Sequence, residues 1–88
     1  MNPELESSIR DVLTQILARD DFPAELVDSV STYLVTGKVP GMSVKDVYGA
    51  ISHGRYAHVF WLLFSLDHIE VSRYHLEQVR KDFQLYEH

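Results

Sequence analysis

Residues 55–66, RYAHVFWLLFSL, decide the fold. On a helical wheel Tyr56, Val59, Phe60, Trp61, Leu62, Leu63, Phe64 and Leu66 leave only one narrow polar stripe, made by His58 and Ser65. A helix that is apolar nearly all round has to be covered on nearly all sides. The rest of the chain must therefore supply the cover. The longest apolar run, Val59 to Phe64, is far short of the ~20 residues that span a bilayer, so this is a helix for a protein core and not for a membrane.

Upstream, Asn2 and Pro3 read as cap and first-turn residues of a helix whose Leu5, Ile9, Val12, Leu13, Ile16 and Leu17 share one face. Glu6 and Arg10 form an i,i+4 pair on the other side. The run Asp20-Asp21-Phe22-Pro23 breaks the pattern, its carboxylates suited to cap a second helix. That helix sets Leu26, Val30, Tyr33 and Leu34 inward and stops at Gly37. Its stretch from Val27 to Thr36 is rich in β-branched residues, but the spacing fits period 3.6 better than period 2. Thr36 to Ser43, TGKVPGMS, reads as an inter-helix loop. Ser43-Val44-Lys45-Asp46 resembles a capping box, opening a helix with Val44, Val47, Tyr48 and Ile51 on one face and Gly54 at its end.

Downstream, Asp67 to Val71 turns the chain, Ser72 is placed to cap, and a last helix runs to about Tyr86. Leu76, Val79, Phe83 and Tyr86 face inward on it, and Tyr74 and Leu85 point the other way. The predicted architecture is all-α: one compact domain over residues 1–88, a bundle of four to five short helices around the apolar helix at 55–66. In a chain of 88 residues such cover is incomplete. Trp61 and Phe64, with Tyr74 and Leu85, then mark a flank for self-association or a partner, unless Trp61 and Phe64 are simply core. A homodimer through this flank satisfies both readings.

Charge is divided unevenly. Residues 1–36 hold seven carboxylates against two arginines, which accounts for the whole formal charge of -5, whereas residues 37–88 balance at six of each sign. The acidic half, with Asp20, Asp21, Glu25 and Asp28, is either a solvated face or a surface for a basic protein partner. The absence of cysteine removes disulfides, thiolate zinc sites and cysteine nucleophiles together. MNPELESSIR lacks the basic start and apolar core of a signal peptide, so a cytoplasmic location is the expectation.

Chemistry is sparse. The histidines His53, His58, His68, His75 and His88 form neither HxxxH nor HxxH, and no metal or cofactor is expected. Ser65 and His58 lie two turns apart, roughly 10 Å, beyond proton-transfer reach. They make instead a polar seam, in which His58 is either a satisfied core histidine or a pH-sensitive contact. Glycines do not form a phosphate loop, and no enzyme constellation emerges. The functional expectation is a non-enzymatic interaction domain: a regulator or inhibitor that binds a protein partner and pairs with itself. The alternative is a helix-turn-helix-like transcriptional regulator using Ser43 to Leu63 on DNA, with Arg55, Tyr56 and His58 reading bases. Phe60 to Phe64 and the acidic charge oppose that alternative. A third reading is a pocket lined by His58, Tyr56 and Trp61.

Overall fold

The computed structural model describes residues 2–19, 22, 24–38 and 54–85, the side chains of Glu25 and Arg55 excepted. Helix α1 spans Pro3–Arg19. Asn2 is its cap in fact: Oδ1 accepts from the backbone N–H groups of Glu4 at 2.8 Å and Leu5 at 3.2 Å, with Pro3 following at the first helical position, where a missing N–H costs nothing. Leu5, Ile9, Val12, Leu13 and Ile16 are buried on the predicted face, and Leu17 packs at its edge.

Helix α2, Ala24–Thr36, returns antiparallel to α1. Its β-branched content does not divert it to strand, because Leu26, Val30 and Tyr33 all enter the shared core at helical spacing. Gly37 ends it at φ +76°, its N–H donating back to the Tyr33 carbonyl at 2.8 Å. Arg10 finishes the end: Nη1 donates to the Leu34 carbonyl at 2.8 Å, Nε faces Glu6 Oε1 at 3.3 Å, and the guanidinium lies 5.2 Å from the centre of the Tyr33 ring. Burial raises the Tyr33 phenol pKa, as does the nearby charge of Glu6, and Arg10 acts in the opposite sense.

Past residue 53 a 3-10 turn, Gly54–Tyr56, leads into α3, Ala57–Phe64, which is shorter than the predicted 55–66. The helix stops where Ser65 donates its N–H to Trp61 and Leu62 carbonyls, and the Ser65 hydroxyl donates to Leu62 O at 3.2 Å. Val59, Phe60, Leu62 and Leu63 are buried. Helix α4, Ile69–Phe83, packs antiparallel along α3 and also lies against α1. It starts three residues before the predicted cap. His68 takes the cap position in extended conformation, and Ser72 is fully buried inside the helix, its hydroxyl turned back onto the His68 and Ile69 carbonyls.

The core is one cluster drawn from all four helices. One end is closed by edge-on rings: Phe22 to Tyr56 at 4.9 Å and Tyr56 to Phe83 at 5.4 Å between centres. The Cα radius of gyration is 11.9 Å. Among the described residues no helix is long and apolar enough to cross a membrane. The predicted helix over Val44 to Ile51, its capping box, the Asp20-Asp21 cap and the inward Tyr86 lie outside the described residues.

Candidate interaction surface

With Val59, Phe60, Leu62 and Leu63 turned into the core, Trp61 and Phe64 are left on the outer side of α3, one helical turn apart. Across the helix pair, α4 buries Ser72, Leu76, Val79 and Phe83, so Tyr74 and His75 stand beside the same outer edge. The result is a continuous strip of rings. Phe64 and Trp61 are 6.2 Å apart between centres, Trp61 stacks on His75 at 6.3 Å with planes 19° apart, and Tyr74 meets His75 edge-on at 5.1 Å. Trp61 is 39% exposed, Phe64 42% and Tyr74 57%. Complete cover of the apolar helix is therefore not present among the described residues. Ile69 and Val71, also exposed, extend the apolar surface along the start of α4.

Leu85 does not belong to this flank. Gln84 takes the left-handed conformation at φ 56°, Leu85 N–H returns to the Arg80 carbonyl at 2.8 Å, and the Leu85 side chain is carried back against the core. Ser65 does not join His58 either, being buried at the cap of α3 with its hydroxyl on Leu62 O. The partners of His58 come from the neighbouring helix. Its Nδ1 lies 3.4 Å from His75 Nδ1, and its Nε2 lies 4.0 Å from Asp82 Oδ2. That Asp82 oxygen is buried and makes no hydrogen bond. His75 and Asp82 are seven residues apart, two turns of α4, and the His58 ring spans the interval between them.

Burial lowers the His75 pKa below the ordinary imidazole value, and the charge of His58 lowers it further. The ring centres of His58 and His75 are 5.6 Å apart. That exceeds the nitrogen separation by about two ring radii, so the two Nδ1 atoms face each other along the line of centres. This suits one N–H···N hydrogen bond. A chelated ion would sit off that line, away from the lone pairs, and among the described residues no group of three or more histidines and carboxylates is placed to hold a metal.

Sequence reasoning missed His75 and Asp82 because it searched for pairs within helices. Their only signal was two polar positions seven apart, on the edge of the inward stripe of α4.

On the acidic half, Glu4, Asp11 and Asp28 are exposed, whereas Glu6 is half-buried and engaged with Arg10. Asp20, Asp21 and the Glu25 side chain lie outside the described residues. The first half of the suggested helix-turn-helix also lies outside them, and its second helix, α3, commits four of eight residues to the core. Three surface clefts, of about 620, 670 and 320 Å³, are lined by other residues than His58, Tyr56 and Trp61. No protein-family model matches the chain, no curated protein matches it, and no solved structure matches it.

Proposed function

We propose that the chain is a non-enzymatic interaction domain, a small regulator or inhibitor acting in the cytoplasm, that pairs with a second copy of itself through the α3–α4 flank. The observation that carries this reading is the exposure of Trp61, Phe64 and Tyr74 as one ring-lined strip beside a filled core. Charge supports a second copy as the occupant. Two chains of formal charge -5 repel over most approaches, but α3, AHVFWLLF, carries no Asp, Glu, Lys or Arg, and the exposed charges in line with Tyr74 on α4, Glu70 and Lys81, are of opposite sign, so copies can meet there without a net opposition of like charges. Self-pairing on this side leaves the carboxylates of residues 1–36 for a basic protein partner.

Sedimentation velocity across protein concentration tests the reading. Wild type is expected to pass from monomer to dimer, and Trp61→Glu, which sets like charges against each other across the two-fold axis, to stay monomeric with unchanged helicity. Wild type that remains a monomer at its highest soluble concentration overturns the proposal. Asp28→Lys is expected to leave dimerisation intact, since the acidic side serves the other partner.

A further inference from the structure

We propose that His58 and His75 form an acid-released clasp on this flank: it holds α3 against α4 while one hydrogen lies between the two Nδ1 atoms, and parts when both imidazoles are protonated, freeing Trp61 from its stack on His75. The geometry behind the clasp is the facing Nδ1 pair at 3.4 Å and the buried Asp82 oxygen 4.0 Å from the opposite nitrogen of His58. With both rings neutral, His75 Nδ1–H donates to His58 Nδ1, and His58 Nε2–H points to Asp82. One added proton is accommodated without loss. The incoming proton is taken on His75 Nε2 while the hydrogen between the rings passes to His58 Nδ1, so that His58 presents N–H groups from both nitrogens, one to His75 Nδ1 and one to the carboxylate. A second proton leaves no acceptor between the rings: N–H faces N–H, and two positive charges meet in a half-buried seam. The pair therefore titrates as a unit.

The charged and titratable surroundings agree with this proton count. Helix α3 contributes no ionisable side chain besides His58. Helix α4 contributes His75, Asp82 and, at the edge of the His75 ring, Tyr74. The 3-10 turn, packed against both helices, contributes Tyr56, whose ring lies against Phe22 and Phe83. Helix α1 runs along the other edge of α4, beside Arg73, Glu77 and Arg80, and no described group of α1 or α2 contributes to the lowered His75 pKa. Trp61 reports the state of the clasp because its ring is parallel to that of His75 within 19°.

The functional consequence, loss of self-pairing in acid, rests on the proposed dimer, whereas the clasp itself does not. The two are separated by measuring the histidine ring nitrogens by NMR, together with Trp61 emission, from about pH 8 to pH 5 in the Trp-containing monomeric variant Phe64→Glu. Sedimentation of wild type is followed over the same range. The clasp predicts two macroscopic steps with ring-nitrogen shifts coupled between His58 and His75, and a Trp61 emission change only at the second. His75→Gln should remove that emission change and the coupling of the ring-nitrogen shifts. Independent one-proton curves for the two rings, or an emission change that survives in His75→Gln, overturn the clasp. A clasp that titrates as described in a wild type that never dimerises leaves this inference standing and overturns the self-pairing.

Discussion

The two helical hairpins use their polar residues in opposite ways. Between α1 and α2, Arg10 is fully committed: to a carbonyl at the end of α2, to Glu6 and to the face of Tyr33. Between α3 and α4, two histidines face each other, a buried carboxylate oxygen makes no hydrogen bond, and aromatic rings lie in solvent. The first arrangement fixes one geometry. The second leaves a buried carboxylate oxygen without a hydrogen bond and rings exposed, the features on which the proposed self-pairing and clasp rest.

The sharpest test of that contrast lies within α3. Leu62 is fully buried, so Leu62→Ala is expected to cost about 2–5 kcal/mol in urea denaturation. Trp61→Ala, one residue away, should cost less than half as much. Equal losses would make Trp61 a core residue and remove the flank. Next in size, Arg10→Met should destabilise by about 2 kcal/mol, through loss of charged hydrogen bonds to Glu6 and the α2 carbonyl. His58→Gln in the other hairpin is expected to change stability by under about 1 kcal/mol at pH 8. A reversed order would mean that the polar groups of the α3–α4 seam contribute more to stability than those of α1–α2.

A smaller pair of effects compares the ends of α2 and α4, both of which leave through a left-handed residue. Gly37→Ala imposes a Cβ at φ +76° and 3.3 Å from the Arg10 guanidinium, whereas Gln84→Gly relieves a side chain already held at φ 56°. Thermal unfolding should show opposite changes, each of about 1 kcal/mol. The same sign for both would show that the caps are not governed by backbone conformation. The smallest effect is pH dependence. Because the fold lowers the His75 pKa from 6.5, the unfolded chain takes up protons more readily, and stability should fall as pH drops through 6.5 towards the folded value. His75→Gln should lose that increment, and an unchanged acid limb in the variant would assign it elsewhere.

Most of the fold is legible in the sequence because each hydrophobic face is continuous. The caps at Asn2 and Gly37, the inward sets of α1 and α2, and Leu76, Val79 and Phe83 of α4 follow from spacing alone. Two expectations fail for one physical reason: a helical wheel extends past the point where the helix stops. The wheel sets Ser65 on the stripe of His58, although it caps α3, and sets Leu85 outward, although left-handed Gln84 turns it back to the core. Ser72 fails in the other direction. A serine ahead of an apolar periodicity reads as a cap, but its hydroxyl serves the preceding turn equally well. The pairing of His58 with His75 and Asp82 depends on the rotation of one helix against another, which neither helix specifies alone.

The direction of α1 relative to α4 bears on how the chain reaches this state. Glu4, Leu5 and Ser8 line a cleft with Arg73, Leu76 and Glu77, while Gln15 and Arg19 share one with Gln84 and Leu85, so the two helices run in the same sense. Each antiparallel hairpin joins residues near in sequence and closes quickly, but a parallel pairing between opposite ends of the chain has to await both. The α1–α4 seam is then the last to form, and loosening it by Val12→Ala should speed unfolding while leaving the folding rate nearly unchanged.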